Sequence, residues 1–348
     1  MATQFNDTTA DHKWSTAANW SDGVPDAADA VTVNAAVTSL IIDAAASCLS
    51  FDATGTAGIT VSGSAYLIVY GNIIFDASVT WTQTGAIYID DDCTFTTAGV
   101  SIVSIDTFNV RYGAILTLAG ELNLGTKTFR PRPYSSATTI ITGNNTVTCG
   151  VLEAQSTGSL TLTLGTSVIN CTGIALGLVT TLTVTTADHT INIAHVTHVH
   201  DNFGGASWGI VNLNLTPTAA TIYNIDGNDA TFVQFNVNHL ASRTDTQLTL
   251  AHNITAGSMT VTGKDSTNTL QFNSSVPDTA RTLTDTAGTN VFTNVRIKDM
   301  TAAGGAVWQA LLTDGNVDDG GNTGWTWAAG GLSIPVAMHH YMNIRRAA

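Results

Sequence analysis

Residues equipped for chemistry gather in a few short stretches of this chain. Residues 314 to 327 read DGNVDDGGNTGWTW, with Asp314, Asn316 and Asp318 spaced one residue apart. Calcium is held by oxygen ligands at this kind of density. Read as an EF-hand loop, the three fill positions one, three and five. Position six is then Asp319 instead of glycine, and position twelve is Trp325 instead of glutamate. The template fails. A looser calcium site from the same oxygens stays open beside a plainer account, a glycine-rich turn that delivers Trp325 and Trp327 onto the last strands as a closing cap. The run AHVTHVHD brings His195, His198, His200 and Asp201 together. On a strand, His198 and His200 share one face while His195 points to the other. That pair plus Asp201 has the ligand chemistry of a zinc or iron site. The alternative is turn and outer-face histidines, or an intersubunit stack.

Two further sets would serve sugars. Asp90, Asp91 and Asp92 are the densest carboxylate run, and glycoside hydrolysis needs two carboxylates roughly 5 to 9.5 Å apart. Nearly all the acids are aspartates, Glu121 and Glu153 being the only glutamates, so some neighbours arise by chance. An exposed strip of Trp81, Tyr88, Tyr112 and Tyr134 would stack on glycans, with core and edge packing as the competing account. No Ser-His-Asp spacing, G-x-S-x-G elbow or phosphate loop is present. His339, His340 and Tyr341 fan outward as neighbours and make a poor metal site.

The elements that must position these groups are strands. Of 348 residues 44% are apolar and only 11% charged, against about 25% charged in ordinary domains. Thr, Asn, Gly, Val and Ile dominate, a mix that favours strands and tight turns. From about Val31 to Val295 apolar runs such as GITV, YLIV and SLTLTL recur, joined by Gly, Asn, Asp and Thr turns. Alternation through Leu160, Thr161, Leu162, Thr163 and Leu164 gives a strand one buried and one Thr-rich face. Short strands, few hairpin signals and scarce charge favour an all-β right-handed parallel β-helix with three strands per coil over stacked sandwiches. Asparagines at the coil turns are expected to stack from coil to coil. A sandwich-like C-terminal part is a further option.

The layout expected is an N-terminal cap (1–35), a β-helix body (36–200), a further β-rich region with a closing turn (201–330) and a basic aromatic tail (331–348). RPRPYSS, 130 to 136, interrupts the rhythm, and its prolines cannot donate to a ladder, so a loop or edge excursion is expected there. DNFGGASWG, 201 to 209, reads as a second break. Four scattered cysteines without a CxxC pair read as buried free thiols, although their separations leave disulfides open.

Residues 13 to 34, KWSTAANWSDGVPDAADAVTVN, place Trp14 and Trp20 as apolar plates over the open end of a β-stack, with Pro25 fixing the turn into the first strand. Through Trp14, Asn19, Trp20, Gly23, Pro25 and Asp29 this stretch resembles the opening cap of β-helical proteins of phage particles and bacterial surface passengers. DGGNTGWTW is similar to the terminal segment of the same broad group. The resemblance is confined to the two ends and speaks to architecture, not activity.

A net charge of −14 argues against nucleic acid as a partner, and scarce Lys and Arg argue against a lyase site for acidic polysaccharides. No apolar run is long enough for a membrane span, and no export signal is visible at the start. These features, with the resemblance, lead to the expectation of a non-enzymatic structural protein of a phage particle. It would be a fibre, spike or surface decoration engaged in host attachment, assembled in the host cytoplasm, with no cofactor unless calcium. Expected partners are sister subunits, a trimer being favoured, other particle proteins and a surface glycan. The tail, through His340, Tyr341, Arg345 and Arg346, would serve assembly or docking, a frayed terminus being the ordinary alternative. A polysaccharide-degrading β-helix enzyme and a secreted or cell-surface bacterial adhesin are the competing readings.

Overall fold

The computed structural model describes residues 1–185, 188–195 and 200–327, with the backbone only for His195 and His200. Its strands form an all-β, right-handed parallel solenoid of about thirteen coils. Each coil visits its faces in a fixed order. The first face is a nine-stranded sheet from Ala2–Phe5 to Thr181–Thr185. The second opens as three strands, Ser39–Ile42, Thr60–Gly63 and Thr80–Trp81, and resumes at Leu122–Asn123 as a 12-stranded sheet. The third is a 13-stranded sheet running from Ala46–Cys48 to Val317–Asp318.

Period-two side chains explain the packing. In Ser159–Thr163 the leucines point inward while the serine and threonines lie on the outer side. In the third sheet, Leu67, Ile87, Phe108 and Phe129 stand beside one another in successive coils and are all buried. An aromatic run threads the same interior, from Trp14 through Phe51, Phe75, Phe95 and Phe108 to Phe129, with centroids 5.4 to 6.4 Å apart. Each such ring contributes about 1.5–3 kcal/mol by leaving water.

Asparagines reach from coil to coil at the turns, where Asn34 donates to Asn6 and the Thr94 and Thr166 N–H groups donate to Asn72 and Asn144, and they also stack within strands. Asn192 donates to Asn170, Asn212 to Asn192 and Asn236 to Asn212, at 3.0, 2.8 and 2.9 Å. All four lie within strands on the second face, where an outward amide finds its own kind one coil away. Cys48, Cys93, Cys149 and Cys171 are free and buried, and burial pushes the Cys93 and Cys149 thiols up to about 12.

Three expectations need correction. The sandwich-like C-terminal option is not realised: from His200–Asn202 to Val317–Asp318 the strand pairings of the third sheet are parallel, continuous with those before them. The region 201–209 is an ordinary coil corner, with strands His200–Asn202 and Ser207–Leu215 on either side. RPRPYSS is not an excursion at its start. Pro131 lies inside the strand Thr128–Arg132, paired with Val110 and buried. Its missing N–H is tolerated because pairing to the following coil is confined to Phe129 and Leu152, before the proline.

The cross-section changes twice. After Thr181–Thr185 the first face ends, and long strands Ser207–Leu215 and Ala230–His239 follow. The start of Ala230–His239 pairs with Ile254–Ala256 and its end with Met259–Thr262. One straight strand there spans what two faces share in the following coil.

Candidate functional site

The outer side of the third sheet carries the site, in two parts. The first is a row of tyrosines and arginines. Tyr66 meets Tyr88 edge-on with centroids 5.8 Å apart. The Arg111 guanidinium lies 3.9 Å from the Tyr88 ring centroid and 5.1 Å from that of Tyr112. Tyr112 stacks on Tyr134 at 4.9 Å with 13° between the planes, and Arg132 covers Tyr134 at 5.4 Å. Successive coils sit about 4.8 Å apart, so residues repeated once per coil become a continuous ladder.

Local charge is arranged with care. Arg111 donates from Nε and Nη2 to the two Asp90 oxygens at 2.6 and 2.7 Å. Arg130 donates twice to Glu153, at 3.0 and 2.8 Å. Arg132, beside Arg111 in the ladder register, has no ion-pair partner among the described residues, and its Nε is buried without a hydrogen bond. Asn109, registered between Tyr88 and Arg130, is buried with its Oδ1 unpartnered.

Backbone strain coincides with this row. Tyr112 has φ 56° and Tyr134 φ 49°. A bulky residue in the left-handed region costs about 1–2 kcal/mol. The ring stack returns about 0.5–1.5 kcal/mol and each cation–π contact about 0.5–2.

The second part lies farther along the same face. Asn224, Thr249, Asn273 and Lys298 form one register row, one residue per coil. With Gln247 and Ser275 they line a groove of about 330 Å³. Asn224 and Thr249 hydrogen-bond to one another, and the Asn273 Oδ1 is buried without a partner. Asp299 at the groove is engaged by the Asp278 N–H at 3.1 Å.

The residues singled out from sequence fall elsewhere or serve structure. Trp81 does not belong to an exposed strip. It is 4% exposed and packs on Phe51 and Phe75, because Val61 and Trp81 share an inward register position. Asp90, Asp91 and Asp92 do not converge on a common point: Asp90 holds Arg111, Asp91 accepts from the Asp92 N–H, and Asp92 accepts from the Ile115 N–H. Asn316 is buried and fully engaged, accepting from the Val295 N–H at 3.0 Å and donating to the Phe292 and Leu311 carbonyls. Asp318 accepts from the Gly320 N–H and from Asn322, while Asp314 accepts from the Thr313 hydroxyl. Buried Asp201 accepts from the Ile174 N–H at 2.9 Å. The side chains of His195 and His200, all of His198, and the tail with His340, Tyr341, Arg345 and Arg346 lie outside the described residues. Among the described residues, no group of three His, Cys, Asp or Glu side chains is placed to share a metal ion.

At the ends, Trp14 and Trp20 are buried, edge-on at 4.8 Å, and the Trp20 Nε1 donates to the Trp14 carbonyl. Phe5 packs on Trp20, and Pro25 is buried in the turn that follows. At the far end Trp325 meets Phe292 at 4.8 Å and Trp308 at 5.6 Å, and Trp327 lies 6.0 Å beyond.

Sequence reading missed Tyr66, Arg111, Arg132 and the whole groove. A signal for the first part was present, since Tyr66, Tyr88, Tyr112 and Tyr134 recur at about one-coil intervals. No protein-family model matches the chain, and neither the curated proteins nor the solved structures give a match.

Proposed function

We infer that this chain is a non-enzymatic structural protein, a rigid solenoid belonging to the surface of a phage particle as a fibre, spike or decoration. The observation that carries the reading is the third sheet, 13 parallel strands without a break from Ala46 to Asp318, over an interior bounded by clustered tryptophans near each end. Such a rod transmits position over its length and presents one outer face in fixed register. No described helix is long and apolar enough to cross a membrane.

The disposition of the acids supports a structural role. Hydrogen bonds from Thr16, Ser78 and Thr267 hold Asp11, Asp76 and Asp265 below the usual carboxylate range, Asp265 at about 2. A general acid for sugar cleavage needs the opposite shift, so these three aspartates do not serve as that acid. Here the carboxylates pin turns.

The test is the solution mass of the full chain beside a version ending at Gly330. A trimer that dissociates on truncation supports a fibre or spike with the tail in assembly. A monomer in both removes self-assembly from the reading and leaves docking on a particle partner as its remaining form. Turnover of any polysaccharide in a reducing-end assay would overturn the non-enzymatic reading outright.

A further inference from the structure

We propose that the tyrosine–arginine row from Tyr66 to Tyr134 is a binding site for an acidic oligosaccharide, a sugar chain bearing carboxylates. The inference does not depend on where the chain is assembled, because it concerns the isolated protein.

Charge complementarity selects the ligand. The protein carries −14 overall, yet Arg111, Arg130 and Arg132 stand on two adjacent coils. Asp90 and Glu153 neutralise the first two. Arg132 remains, next to ring surface, with a buried Nε that has no acceptor. With its Nε closed off, this guanidinium can grip a carboxylate through two parallel hydrogen bonds from its two Nη groups.

The rings supply the rest. Tyr66 and Tyr112 are 43% and 55% exposed, although each already packs against another tyrosine. Exposed aromatic surface beside hydroxyl groups matches the mixed C–H and O–H surface of a pyranose. The Asn109 Oδ1 is an acceptor with no donor in the same register row. Two successive turns also hold tyrosine in the left-handed region, where glycine would sit without strain. Strain retained twice at one surface points to a use for the side chains. A nucleic acid fits less well, since it brings one negative charge per nucleotide to an acidic protein with a single uncommitted cation in the row.

The experiment is titration calorimetry on the full chain at low salt, with hexagalacturonate as probe and maltohexaose and a thymidine hexanucleotide as comparators. Hexagalacturonate is expected to bind, with maltohexaose weaker by about tenfold or more, the worth of one charge-assisted hydrogen bond. Arg132→Gln is expected to remove that preference while leaving circular dichroism and the unfolding midpoint unchanged, because Arg132 holds no carboxylate in place. Tyr112→Gly is expected to weaken binding without lowering the midpoint, since glycine relaxes the turn. Lys13→Gln, on the exposed surface of the N-terminal end, should bind as the native chain does. Equal binding of hexagalacturonate and maltohexaose, or none of either, overturns the proposal. So does a folded Arg132→Gln chain with native affinity, tighter binding of the nucleotide, or an equal loss in Lys13→Gln.

Discussion

The ladder and the groove occupy the same face of the same sheet, yet they solve the problem of an outward row in different ways. In the ladder, large rings and guanidinium groups repeat from coil to coil and cover one another, so the row stands proud and stiff. In the groove, short amides and a hydroxyl repeat instead, and the space they leave is a concavity. A parallel solenoid imposes the spacing, and side-chain size alone decides whether that spacing becomes a ridge or a trough. Charge follows the same division: the ridge collects three arginines, whereas the trough is lined by one lysine, Lys298, and one aspartate, Asp299.

The sharpest way to break the comparison is to cut the core beneath each part. Phe108→Ala under the ladder and Phe272→Ala in the groove's own coils should each cost about 3–5 kcal/mol in urea unfolding. If the two parts belong to one cooperative unit, either variant shifts a single transition. Two transitions, with only one moved by each variant, would show that the halves fold separately, as stacked repeats can.

Next in size is Arg111→Ala. It strands Asp90, whose side chain is 6% exposed, and should cost about 3 kcal/mol, the lower end for breaking a buried pair. Arg243→Ala, which removes an exposed pair with Asp245 near the groove, should leave the midpoint where it is. Equal effects would mean that the ladder pair is no better shielded than the surface one.

Acid should act on the groove half through His239. Burial lowers its pKa below the usual 6.5, so the unfolded chain binds the proton more readily. Stability is therefore full above about pH 6.5 and falls as pH drops through that value toward the folded pKa. The unfolding midpoint should decline as pH drops below about 6.5, and His239→Gln should flatten that part of the profile.

A small effect is also expected at Asn273→Ala in the groove. Its Oδ1 is buried and unpartnered, so its loss should change stability by no more than about 0.5 kcal/mol.

Much of the scaffold could be read from the residues. Alternation in Leu160–Leu164 and the scarcity of charge led to a parallel solenoid because both are local properties that the coil preserves. The ladder was half visible. Tyr88, Tyr112 and Tyr134 were found, but Trp81 was grouped with them because linear spacing does not reveal whether a ring points in or out. One residue of register reverses the answer. The groove was not legible, since Asn224, Thr249, Asn273 and Lys298 become neighbours only when coils of unequal length are laid in register. Pro131 misled for a related reason. Proline excludes itself from a ladder only where its N–H is required, and that depends on where pairing to the following coil stops.

The long strand Ala230–His239 has a consequence for how such a protein can change length. Within a run of like coils, a whole coil can be gained or lost and its neighbours still meet in matching outline, so growth there is modular. Across Ala230–His239 the outline differs on the two sides, two faces merged on one and separate on the other. Its neighbour Ser207–Leu215 is nearly as long and pairs with it from end to end, so that strand would meet the two separate faces if the Ala230–His239 coil were lost. The joint therefore divides the rod into two lengths, each adjustable in single-coil steps, with two like long strands between them, either of which has the outline the joint requires.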